Sequence, residues 1–311
     1  MTKPYKADLH CHSRYSGPVK HLRFLHARDC YSRPIDVYRR AKERGMDLVT
    51  ITDHDSIDGC LELLNRFGDM PDFIVGEEVT ARLPRFQHSI HIGVYGHNET
   101  QHREIQKLRG DAGELVVYLR RNRLLYVLNH FFHDFSNQAR VGEFIERMAE
   151  MFNIFEARNG TLQREHNAFI MALLAQFKRL GRKVSVVAGS DAHTLRRIGR
   201  SYTASPARNR DEFLADVRAG RSQVFGPHPN HLTLAADIYG VVLRYYPTVL
   251  SVRNGEFSLH SRVQKLFLSV AAAPLLFTPY VAAVRHMRTE RDRIKQFSRS
   301  IFSHQSAAAH F

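Results

Sequence analysis

Short runs rich in valine, isoleucine and leucine recur through the first two thirds of the chain, alternating with segments of helical periodicity, and most of them end near a histidine, aspartate or glutamate. Such alternation marks βα units packed around one parallel sheet or barrel, an α/β fold. Strands are predicted at 7–10, 48–52, 73–79, 90–95, 124–129, 154–157 and 184–188, with an eighth candidate at 223–225. Helices are predicted at 35–44, between Pro34 and Gly45, at 104–121 and 142–151, at 162–180 before Gly181, and at 212–219 before Gly220. The link at 80–89 is short and reads as a hairpin or irregular turn.

The 311 residues, 43% of them hydrophobic, suffice for one large domain with an appendage. Clusters of metal-type residues stop near position 230 and longer helical stretches follow, so the chain divides into a barrel domain, 1–230, and a helical C-terminal extension, 231–311. Residues 266–284 carry no charge and could span a bilayer by length, but Pro274 and Pro279 interrupt them, so a buried helical pair is expected in preference to membrane contact. The chain enters its first strand without an apolar leader, and Cys11, Cys30 and Cys60 form no disulfide or zinc pattern; a cytoplasmic location is expected. A net charge of +14 attracts phosphorylated metabolites, nucleic acid or anionic lipid. The charge is concentrated at 13–33, with Arg14, Lys20, Arg23, Arg28 and Arg33 against Asp29 alone, and again at 285–299.

His10 and His12 end the first predicted strand and share one face, while Cys11 points away and is expected to pack. The later strand ends supply His54, Glu78, His91, His130, Asp191 and His193. In a parallel barrel all carboxyl ends lie on one face, so these residues converge there. Imidazole and carboxylate without cysteine suit zinc, manganese or iron. One carboxylate among many histidines can bridge two ions and so serve phosphoryl transfer through a metal-activated hydroxide. Rate enhancement in phosphomonoester hydrolysis reaches about 10²¹-fold, whereas one proton-transferring side chain gives only about 10²- to 10⁴-fold. The sequence contains no Gly-x-Gly-x-x-Gly after a strand, no Walker loop and no Gly-x-Ser-x-Gly.

The ordered motifs Asp8-Leu9-His10-Cys11-His12, Thr52-Asp53-His54, Gly76-Glu77-Glu78, His91, Asn129-His130 and Ser190-Asp191-Ala192-His193 resemble the PHP family, named for polymerase and histidinol phosphatase, over residues 5–228. That resemblance implies a distorted seven-stranded βα barrel, two or three divalent metal ions and phosphoesterase activity. It implies that His10, His12 and Asp191 hold one ion with Glu78 bridging, that His91 and His130 complete a second, and that His54 and His193 belong to a third, with His54, Asp191 and His193 read as catalytic. The family's third site usually takes another His or Asp from the loop after His-x-His. Here that loop begins Ser13-Arg14-Tyr15-Ser16-Gly17-Pro18 and offers none, so that either His21 replaces it or the third site is empty or weak.

Glu77 adjoins Glu78 but points to the other strand face, and His88 is the rival of His91. His97, His102, His133 and His166 read as surface or packing residues. Asp8, Asp53 and Asp55 are placed to accept from metal-bound imidazoles, and Arg14, Arg158 and Arg197 to clamp phosphate. The expected function is hydrolysis of a small phosphomonoester. The alternatives are a nuclease for short single-stranded RNA or DNA and a non-catalytic membrane-surface or regulatory protein.

Overall fold

A computed structural model describes residues 3–18, 28–250, 258–271 and 277–308; Lys20, His21, Arg23, Phe24, His26 and Pro274 lie outside the described residues. The chain begins β1 (Tyr5–Asp8), α1 (Pro34–Glu43), β2 (Leu48–Ile51), α2 (Asp58–Phe67), β3 (Phe73–Leu83) and β4 (His88–Tyr95). It continues α3 (Glu99–Leu108), α4 (Ala112–Arg121), β5 (Leu125–Leu128), α5 (Val141–Met151), β6 (Ile154–Asn159), α6 (Arg164–Arg179) and β7 (Ser185–Gly189). After these come β8 (Tyr202–Ser205), α7 (Arg210–Ala219), β9 (Gln223–Phe225), α8 (His231–Leu250), α9 (Leu259–Ala271) and α10 (Thr278–Ala308).

One sheet holds nine strands in the order β7, β6, β5, β4, β3, β2, β1, β8, β9. The neighbours β1, β2 and β3 are parallel, as are β5, β6 and β7, but β4 runs antiparallel between β3 and β5. An antiparallel edge of β8 and β9 extends the sheet from β1. The chain leaving β1 also meets the chain leaving β7. Leu9 N donates to Ala188 O at 3.5 Å, Asp191 N to His10 O at 2.6 Å, and His12 N to Ala192 O at 3.0 Å, so the sheet curls into a nearly closed barrel. Gly189 permits that seam, because a Cβ there would stand 2.6 Å from the backbone N of His10.

Three expectations are corrected. Among the described residues the strand count is nine, not seven, because β8 is short and polar and exists through its pairing with β1 and β9, which outweighs weak local propensity. The helix expected at 104–121 is two helices: Asp111 starts α4 by accepting from Gly113 N at 2.7 Å and Glu114 N at 3.3 Å. The stretch 266–284 is not a buried pair throughout, since Phe267 is 72% and Phe277 76% exposed while Ala283 is buried. Among the described residues no helix is long and apolar enough to cross a membrane. The short link between strands three and four is a hairpin, closed by a single 3-10 turn at Pro84–Phe86.

The largest apolar cluster lies between the β3–β6 part of the sheet and helices α3 to α6, and it reaches α10. Phe297 of α10 is fully buried, its ring 5.5 Å from Phe132 and 6.1 Å from Phe135. Beside it Gln163 Nε2 donates to Met287 O, and the buried His166 Nδ1 hydrogen-bonds Glu290 Oε1 at 2.9 Å. Thus α10 shares the barrel's core.

Phe297→Ala is expected to lower the unfolding free energy by about 3–5 kcal/mol in urea titrations; a loss under about 1 kcal/mol would show that α10 adds little to this core. Burial opposes the charge of Glu290, but the His166 hydrogen bond and the cations beyond it hold its pKa down to about 2. A carboxyl depressed in the fold stabilises it above the unfolded value of about 4.3, and that contribution fades as pH falls through the folded value. Glu290→Gln should therefore be less stable than the parent at pH 7, with the gap narrowing as pH falls from about 4.5 toward 2. A gap constant across that range would overturn the assignment.

Candidate metal centre

Past the strand ends the ladder continues through the bridges Cys11–Ala192 and His54–Glu78, so side chains keep alternating. His10 and His12 share one side, while Cys11 turns back into the core with its Sγ 3.1 Å from Thr50 O. On β3 the same period of two sends Glu78 to the inside of the barrel and Glu77 to the outside. His91 does not sit at a strand end. It stands in mid-strand on antiparallel β4, where the register pairs Glu78 with Gly93 and Thr80 with His91, and this returns the ring to Glu78. His88, at the start of β4, packs against Phe135 and Phe144 instead.

The fully buried Glu78 carboxylate is the hub. Its Oε2 lies 3.1 Å from His10 Nε2, 3.5 Å from His12 Nε2 and 3.1 Å from His54 Nδ1. Its Oε1 lies 3.3 Å from His91 Nδ1 and 2.9 Å from His130 Nε2. Asp191 Oδ1 stands 3.5 Å from His10 Nε2 and 3.3 Å from His12 Nε2. His193 stacks on His12 at 4.3 Å between ring centroids and groups with His12 and His54. All eight residues expected from the sequence as ligands are thus brought together.

Two carboxylates that the sequence reading missed also belong here. Asp29 Oδ2 lies 2.7 Å from His193 Nε2 and 3.5 Å from His54 Nε2, so the loop after His-x-His does return an acid to the third group, eleven residues beyond Pro18. Glu156, buried on β6, accepts a hydrogen bond from His10 Nδ1 at 2.9 Å and also accepts from His130 N and Asn159 Nδ2, each at 2.9 Å. A bulge between Glu156 and Arg158 lets both Glu156 and Asn159 reach the centre. A charged residue inside the apolar run Ile154-Phe155-Glu156-Ala157 was the available signal for Glu156; Asp29 had none beyond being the lone acid of a basic loop.

The supporting bonds fix which imidazole nitrogen faces inward. Ser16 Oγ donates to Asp53 Oδ1 at 2.8 Å and therefore accepts from His12 Nδ1, also at 2.8 Å. With Nδ1 of both His10 and His12 engaged by these outer partners, their Nε2 atoms face Glu78 and Asp191. Asn129 Nδ2 donates to Glu78 Oε1 at 2.9 Å, and Asn159 Nδ2 and Thr161 Oγ1 donate to Asp191 Oδ2 at 3.1 and 3.0 Å. Asp8 serves the seam, not an imidazole, accepting from Ser190 N at 2.8 Å and Gly199 N at 2.7 Å; burial raises its pKa to about 6. Asp55 turns away to Thr80 N and Arg109.

The donor set fits divalent cations. Among the buried atoms without hydrogen-bond geometry are His10 Nε2, His12 Nε2, His54 Nδ1, His91 Nδ1 and Glu78 Oε2, all aimed at one small volume. Each such group costs roughly 1–3 kcal/mol if left unsatisfied. Burial lowers the pKa of His12 and of His91 to about 3, so both present neutral, ligating nitrogens. Burial opposes the charges of Glu78 and Asp191, but His10 and the rings around them keep both well below the ordinary carboxylate range. His130 and Asp191 also hold left-handed backbone, φ 23° and 50°. Such conformations cost about 1–3 kcal/mol each and persist where the surroundings over-determine them.

The three arginines expected to clamp phosphate already hold protein partners. Arg14 binds Glu62 at 2.6 Å, Arg158 Nη1 donates to Gly226 O at 2.8 Å, and buried Arg197 lies 3.2 Å from Asp237 on α8 and donates to Gly160 O. His133 lies beside His91 and His130, with ring centroids 5.6 and 4.7 Å away.

Because Glu156 orients His10, Glu156→Gln is expected to weaken binding of manganese or zinc about 10- to 100-fold in competition with a chromogenic chelator. Affinities equal to the parent's would remove Glu156 from the centre.

Residues 181–222 match the PHP-associated family, designated PHP_C. An uncharacterized protein of Methanocaldococcus jannaschii, MJ1587, is 38% identical over 77 residues, which are 24% of this chain and 43% of that one, so the match spans less than half of that relative. PsfC from Pseudomonas syringae superposes with a TM-score of 0.48 at 16% identity, covering 80% of this chain and all (100%) of that one. An amidohydrolase from Chromobacterium violaceum, solved with sulfate and no metal, gives a TM-score of 0.48 at 17% identity over 70% of this chain and 97% of its own. The matched segment contains the Ser-Asp-Ala-His motif, and the His-x-His, Thr-Asp-His and Gly-x-Glu motifs converge with it on one centre, so over that segment the chain is similar to the PHP-associated family.

Proposed function

We propose that this protein is a metal-dependent phosphoesterase that hydrolyses a small phosphomonoester. One observation carries the reading: a single buried carboxylate, Glu78, shared between a group of His10, His12 and His54 and a group of His91 and His130. His10, His12 and Asp191 would hold one ion, Glu78 with His91 and His130 a second, and His54, His193 and Asp29 a third. Zinc, manganese or iron suits this donor set. When bound, such ions supply a water nucleophile at neutral pH and neutralise the charge of the phosphoryl oxygens.

The protein's own contribution is preorganisation. Glu156 and the Asp53–Ser16 pair keep the Nε2 atoms of His10 and His12 turned inward, so no rotation is needed when cations or substrate arrive. Asn159 and Thr161 occupy Asp191 Oδ2 and leave Oδ1 toward the histidines. His193, with a side chain 24% exposed at the rim, is held by Asp29 on Nε2 and by the Asp191 carbonyl on Nδ1. Arg158 stands on β6 two residues past Glu156 and, unlike Arg14 and Arg197, has no carboxylate partner among the described residues, so we assign it the substrate phosphate, with Arg14 as a second contact from the basic loop. Arg197, matched by Asp237, is a brace for the loop after Asp191.

The test is phosphate release from a panel of phosphomonoesters by the chain loaded with manganese, zinc or iron, run beside a 5′-labelled oligonucleotide at low and high salt. Release from monoesters is expected, with kcat lowered on the order of 10²-fold or more by Asp191→Asn. Arg158→Ala should act mainly on KM. Turnover of the oligonucleotide alone, steeply weakened by salt, would replace the phosphatase reading with a nuclease. Undiminished turnover in Asp191→Asn would overturn both.

A further inference from the structure

The function proposed above uses Glu78 and leaves its neighbour unexplained. Glu77 is fully buried on the opposite side of β3, where His97, from the turn between β4 and α3, and His102, on α3, close on it. Glu77 Oε1 lies 3.0 Å from His97 Nε2, and Oε2 lies 2.9 Å from His102 Nδ1. Gln106 Nε2, one helical turn further on, donates to Oε2 at 3.1 Å. One ligand atom from each of Glu77, His97 and His102 falls within 4.8 Å of the others.

His97 makes this more than a structural ion pair. The residue is 2% exposed, yet neither of its ring nitrogens meets hydrogen-bond geometry, and Glu77 Oε1 meets none either despite its 3.0 Å approach to Nε2. Buried polar atoms without hydrogen-bond geometry are costly, at roughly 1–3 kcal/mol each. A cation between Glu77 Oε1 and His97 Nε2 satisfies two of them at once.

We propose that Glu77, His97 and His102 form a separate site for one divalent transition-metal ion, zinc by its chemistry. Two imidazoles and a carboxylate are a zinc set, with bonds of about 2.0–2.2 Å and neighbouring ligand atoms roughly 3.3 Å apart in a tetrahedron. Water takes the fourth position on the side of His102, whose side chain is 19% exposed. The ion ties β3 to the start of α3 and braces from outside the strand whose inner face presents Glu78.

The site shares no ligand with the centre around Glu78, so the two can be counted apart. Full-length protein, with and without His102→Ala, is equilibrated with zinc, desalted and assayed for zinc per chain. The same pair is prepared in a His12→Ala, Asp191→Asn background that cripples the main centre. His102→Ala is expected to remove one zinc ion per chain in both backgrounds and to abolish the visible bands of four-coordinate cobalt(II) that remain when the main centre is disabled. Diffraction at the zinc edge from zinc-equilibrated parent protein needs no variant, and it should show an anomalous peak between Glu77 and His97. Equal zinc counts with and without His102→Ala, or no peak there, would overturn the proposal whatever the main centre does.

Discussion

A carboxylate without exposed surface, facing five imidazoles, sets the terms for the rest of this molecule. Glu78 has Asn129 Nδ2 as a conventional donor and is otherwise surrounded by ring nitrogens whose lone pairs and protons must be arranged one by one. An arrangement of that kind is stable only if the rings cannot reorient and if positive charge, as protons or as cations, compensates the buried carboxylates. The supports are correspondingly rigid. Glu156 and the Asp53–Ser16 pair fix two rings, and Asp8 staples the β1–β7 seam through backbone amides. His130 and Asp191 accept left-handed backbone to put their side chains in place.

That rigidity draws on parts of the chain remote from the chemistry. Helix α10 enters the aromatic core through Phe297 and grips α6 through Glu290 and His166. Asp237 of α8 neutralises Arg197 in the loop that follows Asp191. The positive charge of the chain is therefore not all available to a ligand. Arg14 and Arg197 are bound to internal acids and Arg158 to a backbone carbonyl, so a phosphate would compete with existing contacts for these residues and would not meet them free. A substrate that displaces such contacts gains less affinity than bare charge suggests, but it gains selectivity, because only correctly placed oxygens recover the lost bonds.

Both faces of β3 carry polar clusters, separated only by strand alternation. A one-residue slip of β3 would exchange Glu77 and Glu78 and bury the wrong acid in each place, which makes its register unusually consequential. The long hairpin with β4, in register from Gly76 opposite Tyr95 to Leu83 opposite His88, is what pins it.

Much of this was legible in the sequence. The residue types, their order and the resemblance to the PHP family picked out His10, His12, His54, Glu78, His91, His130, Asp191 and His193 and chose Glu78 over Glu77 and His91 over His88, while the period of two placed Cys11 in the core, because side-chain direction along a strand is local information. The short link before β4 pointed to a hairpin or an irregular turn, and the antiparallel pairing of β3 with β4 makes it the hairpin. Position along the barrel was not local: His91 reaches the centre from mid-strand through antiparallel register, not from a carboxyl end as a uniformly parallel barrel requires. Asp29 and Glu156 were overlooked because nothing near them in sequence distinguishes a ligand-facing acid from a surface or strand acid. Their role arises when the chain folds back over 25 positions to His54 and 146 to His10. The sequence by itself determined which imidazoles and carboxylates are available to the centre; the tertiary structure alone decided which further acids join them and which arginines are already taken, since burial and pairing are properties of long-range closure that no local pattern encodes.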